Sequence, residues 1–156
     1  DFPEEHSAAT WYYQISENYL CEPVQHYGFY LTPLQNFEKG KTVFYPHGYS
    51  NYFFHPTHPH ELIIVSTENN KVSILNCLSG EIVRTISKGK EYAFCNIDPV
   101  TGNYLFRNSY YVLITNENGD ELFRMRSEDT SPYLANNILT CWAGAAINVE
   151  PYLKKP

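Results

Sequence analysis

The sequence has no run of Lys and Arg, no apolar stretch of membrane-spanning length, no Cys-x-x-Cys pair and no Asn-x-Ser/Thr sequon. Each absence removes a class. Without a basic run, and at a formal net charge of −6, non-specific nucleic-acid binding is disfavoured, because it rests on neutralising phosphates. A shaped nucleotide pocket stays open. Without an apolar run of about 20 residues no spanning helix is expected. Without Cys-x-x-Cys the four cysteines read as disulfide partners rather than a zinc site. Without a sequon no N-linked glycan is expected. Ala and Leu are scarce and Met occurs once, which argues against long helices. The chain begins at Asp1 without Met or a signal peptide, as expected of a mature secreted protein.

Aromatics are abundant, with 14 Tyr and 9 Phe, and such residues favour strands. A chain of 156 residues predicts one compact domain spanning 1–156, with a loose segment at 1–10. Strands are expected in WYYQISENYLC and HYGFYL. Thr32-Pro33 then resembles a helix start and Gly40 a helix end, with Leu34 and Phe37 on one face, which predicts a two-turn helix. From Lys41 the pattern is β. HPTHPH is a Pro-spaced loop. ELIIVST, KVSILNC, EIVRTIS, EYAFCNI, NYLFRN, YYVLITN and ELFRMR read as strands. Turns fall at Ser79-Gly80, Lys88-Gly89, Thr101-Gly102 and Asn118-Gly119. Residues 143–156 are expected as an extended C-terminal arm. IIVSTENNKVSILNCLSGEIVRTI resembles one blade of a β-propeller, but a closed propeller needs at least four blades, and the pattern supplies only about two.

Four motifs, in chain order, resemble the small guanine-specific fungal ribonucleases. Tyr45-Pro46-His47-Gly48-Tyr49-Ser50-Asn51-Tyr52 is similar to that family's Y-P-H-x-Y-x-N-Y segment. Tyr19-Leu20-Cys21 with Asn136-Asn137-Ile138-Leu139-Thr140-Cys141 resembles its two cysteine-bearing ends. VLITNENGDEL resembles its penultimate hairpin, and Glu61 opens an apolar strand as the family's Glu does. The resemblance implies an α+β fold, a short helix packed on a twisted antiparallel sheet, with residues 65–109 as an inserted β-hairpin region. It also implies a Cys21–Cys141 disulfide, and Cys77 with Cys95 would staple the insertion. The branch it most resembles is the ribonuclease-like effectors secreted by powdery mildew fungi.

Ribonuclease chemistry needs a base, an acid and a cation for the phosphoryl oxygens. His47 and Glu61 match the family's base-side pair. The phosphate-binding Arg falls on Val112, and the acid His falls among Ser127, Glu128, Asp129 and Thr130. The guanine-reading Glu falls on Phe53. The expectation is therefore a catalytically incomplete pseudo-ribonuclease, with His47 and Glu61 as remnants and no catalytic residues. Tyr45, Tyr49, Asn51, Tyr52 and Asn136 are the ligand-binding candidates, as a stacking surface for a base or an aromatic wall for a protein. His55, His58 and His60 beside Glu61 could suggest a metal, but they are read as a solvated loop, so no metal and no cofactor are expected. The expected partners are a host plant protein, a plant immune receptor among them, or RNA. No membrane partner is expected, and the chain is expected to be a monomer. Two other readings stand: an active guanine-specific ribonuclease with a rearranged site, and an unrelated extracellular β-rich binding module.

Overall fold

The computed structural model describes residues 13–24, 27–35, 42–46, 50–128, 130–141 and 144–154. The chain folds as a series of antiparallel meanders, each a small sheet made of consecutive strands. Sheet 1 holds β1 (Gln14–Ile15), β2 (Tyr19–Val24), β3 (Gly28–Pro33) and β4 (Val43–Pro46). Sheet 2 holds β5 (Ser50–Phe54), β6 (Glu61–Ser66), β7 (Val72–Asn76) and β8 (Glu81–Ile86). Sheet 3 holds β9 (Ala93–Ile97), β10 (Tyr104–Arg107), β11 (Tyr111–Thr115) and β12 (Glu121–Arg126). Sheet 4 holds β13 (Tyr133–Ala135), β14 (Ile138–Thr140) and β15 (Ala146–Asn148), followed by a 3-10 turn at Glu150–Tyr152.

Successive side chains of a strand point to opposite faces, and here both faces of the middle sheets are apolar. In sheet 2, Tyr52, Leu62, Ile64 and Leu75 face one way and join Tyr19, Cys21, Phe29 and Leu31 of sheet 1. Ile63, Val65, Val72, Ile74 and Ile86 face the other way and join Ile97, Tyr104, Phe106 and Leu113 of sheet 3. Sheet 3 repeats the device: Leu105, Val112 and Ile114 pack on Leu134 and Leu139 of sheet 4 and on Val149. Each such side chain contributes about 1.5–3 kcal/mol relative to exposure, so every interface outweighs any single turn. Gly80, at φ 74° in the β7–β8 turn, lets Tyr45 of sheet 1 lie against it: a Cβ there would meet the Tyr45 hydroxyl at 2.6 Å.

The α+β expectation is overturned, because the described residues are 54% strand and 2% helix, with no α-helix among them. Thr32 and Pro33, read as a helix start, instead end β3, where they pair with Leu20 and Tyr19. Tertiary pairing has won over a local capping signal there. Residues 36–40 of the expected helix lie outside the described residues. Residues 65–109, expected as an insertion, supply β7 and β8 of sheet 2 and β9 and β10 of sheet 3. Of the expected arm, Ala146–Asn148 pairs with β14.

The disulfides are corrected as well. Among the described residues no disulfide is formed. Cys21 belongs to sheet 1 and Cys141 to the β14–β15 connection of sheet 4, whereas Cys21 and Cys77 share one core cluster. Burial, and next the neighbouring Cys77, pushes the Cys21 thiol up to about 12. Burial likewise pushes Cys77 up to about 12. Thiolates are the reactive species, so Ellman's reagent should find Cys21 and Cys77 silent in the native protein and all four thiols after unfolding. A native chain carrying a Cys21–Cys141 bond in a non-reducing peptide map contradicts this packing.

Candidate functional site

Among the described residues, a compact group of ionisable side chains lies where the β5–β6 loop of sheet 2 meets sheet 3. The loop His55-Pro56-Thr57-His58-Pro59-His60 leaves β5 and returns to Glu61 at the start of β6. Its backbone closes on itself: the His55 N–H donates to the Glu61 carbonyl at 2.9 Å, and the Glu61 N–H donates to the His58 carbonyl at 3.0 Å. That closure gathers residues 55, 58 and 61 on one side.

His55 is 4% exposed. Its Nδ1 accepts from the Thr57 backbone N–H at 3.3 Å. A backbone N–H can only donate, so Nδ1 carries the lone pair and the proton sits on Nε2. Nε2 donates to the buried Tyr104 hydroxyl at 3.1 Å. The His58 Nδ1 lies 3.0 Å from the His55 Nδ1, with the two rings edge to face. The Thr57 hydroxyl touches both Nδ1 atoms, at 3.2 and 3.1 Å. Glu61 brings a carboxylate oxygen to 4.0 Å from the His58 Nδ1. Arg84 of β8 bridges Glu61 at 2.6 Å and Glu117 of the β11–β12 turn at 2.8 Å. The His55, His58 and Glu61 ligand atoms all lie within 4.8 Å of one another.

Burial, then repulsion from His58 and Arg84, lowers the His55 pKa from 6.5 to about 4. Burial pushes Tyr104 up to about 12, so its hydroxyl stays protonated. His55 therefore offers a neutral Nδ1 at neutral pH. His60 points elsewhere, with Nδ1 3.3 Å from the Tyr19 hydroxyl.

The sequence-derived candidates are scattered. His47 and Tyr49 lie outside the described residues. Glu61 is held by Arg84. The Tyr45 ring stacks on Phe29 at 5.1 Å. Tyr52 is buried and tilts against Phe29 at 4.6 Å. Asn51 is exposed on β5 and pairs with Val65. Asn136 is a turn residue at φ 51°. Glu61 and Tyr52 share sheet 2, but the structure brings neither to Asn136 in sheet 4.

Sequence reasoning missed Asp98. This buried carboxylate accepts the Asn136 and Asn137 N–H groups at 2.8 Å each and the Val100 N–H at 2.9 Å. Burial alone would raise its pKa, but bonds from Asn137, Val100, Asn136 and Thr101 outweigh it and hold the pKa low. One signal was legible: Asp98-Pro99 opens the Thr101-Gly102 turn, and Asp there favours an Asx turn.

No family model and no curated protein matches the sequence. Solved structures do match. The chain is similar to BamB from Moraxella catarrhalis at TM-score 0.57 and 17% identity, over 81% of this chain and 38% of that one. It is similar to Kluyveromyces lactis Hsv2 at TM-score 0.52 and 10% identity, over 82% and 39%. It is similar to the computationally designed Ika4 protein at TM-score 0.61 and 10% identity, over 92% of both chains. The chain thus spans about two fifths of the length of BamB and Hsv2. These likenesses show a β-propeller-type fold and overturn the ribonuclease resemblance.

Two measurements probe these groups. A lowered His55 pKa favours folding above 6.5, and that contribution is lost as pH falls through 4, worth about 3 kcal/mol in all. The Tm should fall over that interval, and His55→Asn should flatten the fall; an unchanged slope removes His55 as its source. Asp98→Ala should lower stability by about 3 kcal/mol, since it leaves buried N–H groups without acceptors. A loss under about 0.5 kcal/mol, the range of ordinary surface changes, contradicts the linking role.

Proposed function

We propose that the chain is a β-rich binding module of the propeller type that acts by presenting a sheet face rather than by catalysis. The observation that supports this is the outward face of sheet 1. Register places Ile15 beside Leu20, and Phe44 beside Tyr30, on the side opposite Cys21 and Phe29. Ile15 is 71% exposed and Phe44 40%. Among the described residues no apolar cluster joins sheets 1 and 4. Sheet 4 also ends on an open face, with Tyr133 51% exposed and in register with Thr140 and Ala146.

The occupant this face fits is a second copy of the chain. Among the described residues sheet 1 packs only on sheet 2 and sheet 4 only on sheet 3, so the series leaves one uncovered face at each end. The stretch matched to BamB is 81% of this chain but 38% of that one, so that chain is about twice as long. Two copies supply that length. RNA is a poorer partner than protein, because the formal net charge is −6 and phosphate contacts rest on positive charge. The effector, host-protein and secretion expectations came with the ribonuclease resemblance or the chain's first residue, and nothing further supports them.

Sedimentation analysis tests the reading. The wild-type chain should sediment with the mass of two chains at micromolar concentration. Ile15→Glu with Phe44→Glu should give the mass of one chain with an unchanged circular dichroism spectrum. A wild type of single-chain mass throughout, or a double variant that stays paired, overturns it.

A further inference from the structure

We propose that His55, His58 and Glu61 form a site for a divalent transition-metal ion of the zinc type, with Tyr104 as the outer group that fixes His55. The inference is independent of how the end faces are covered.

Four observations converge. The loop is closed by its own backbone bonds, so the three ligands are gathered before any ion arrives. The His55 lone pair sits on Nδ1, on the side of His58, while Nε2 is tied to the Tyr104 hydroxyl at 3.1 Å. A metal-bound His almost always gives its second nitrogen to such an outer partner, which sets tautomer and ring angle. The donor spacings suit the ion: bonds of about 2.0–2.1 Å in a tetrahedron put ligand nitrogens about 3.3 Å apart. The two Nδ1 atoms are 3.0 Å apart and the nearest Glu61 oxygen is 4.0 Å from His58. Finally, the donor set has two imidazoles and one carboxylate, which suits zinc, cobalt, nickel or copper and does not suit calcium or magnesium.

Arg84 does not block the site. It holds Glu61 but also bonds Glu117, so it keeps a carboxylate partner when Glu61 turns to an ion. The His58 side chain is 44% exposed, which gives the ion a path from solvent and leaves a fourth position for water. Three protein ligands leave one position to exchangeable water, whereas closed structural sites fill all four with protein.

The test is titration of the metal-free protein with zinc and with cobalt under reducing conditions. Expected are one zinc per chain and the visible absorption of tetrahedral cobalt with nitrogen and oxygen ligands. His58→Ala, at an accessible position, and Glu61→Gln should each weaken zinc at least about tenfold. Tyr104→Phe should weaken it about 10–100-fold with the ligands intact. A variant with all four cysteines changed to serine should bind as the wild type does. The proposal is overturned if the wild type takes up no zinc, if the His58 and Glu61 variants bind unchanged, or if binding is lost with the cysteines.

Discussion

The structure depends on sheets that are apolar on both faces. A four-stranded meander of this size does not stand alone in water, because it can satisfy its backbone but cannot hide two greasy surfaces. Sheet 2 shows the constraint most directly: consecutive residues Leu62, Ile63, Ile64 and Val65 are all buried, alternately toward sheet 1 and sheet 3. Sheets of this kind can only be stacked. The stack then determines which loops meet, and the loops carry the chemistry.

Polar groups fix the relation between neighbouring sheets where apolar packing alone is tolerant of sliding. Asp98 leaves β9 and takes N–H groups from the β13–β14 turn, tying sheet 3 to sheet 4. Asn96 adds a two-way bond to the Leu134 backbone at 2.8 and 3.1 Å. Arg84 ties β8 to Glu117 across sheets 2 and 3, and His55 ties the β5–β6 loop to Tyr104 of β10. Directional bonds at the ends of strands thus select one register from the several that a greasy interface permits.

Much of the strand pattern was legible, and the architecture was not. From Glu61 to Arg126 the apolar runs and the Gly turns mark every strand. The blade-like run from Ile63 to Ile86 is indeed most of one sheet. The count failed in sheet 1, where β1 is two residues long and Pro23 sits inside β2. Pro23 lies beyond the reach of β1, which pairs only with Leu20 and Cys21, so its missing N–H costs no ladder bond. The ribonuclease motifs misled for a related reason. Asn136-Asn137 is a turn signal: both residues have positive φ, near 51° and 59°, which Asn tolerates well. Such Asn pairs and Tyr-rich strands recur wherever tight hairpins do, so four ordered matches reported local structure rather than descent. The His-rich loop was legible as a loop, but the closure that brings residues 55, 58 and 61 together is a backbone event that spacing alone does not specify.

The ends of the stack follow from the same constraint as its middle. An interior sheet is covered twice, whereas sheets 1 and 4 are each covered once among the described residues. The uncovered side of sheet 1 still carries Ile15, Leu20, Tyr30 and Phe44, residues of the type that line the covered sides. A terminal sheet that had only to face water would gain from polar residues there, as the end units of stacked arrays do. Glu22 and Thr32 share that face, in register with Tyr30 and Leu20. Sheet 4 is mixed in the same way, with Thr140 and Asn148 outward beside Tyr133 and Ile138. Each end thus keeps apolar side chains within a partly polar face, and burial against another chain would remove those apolar side chains from water.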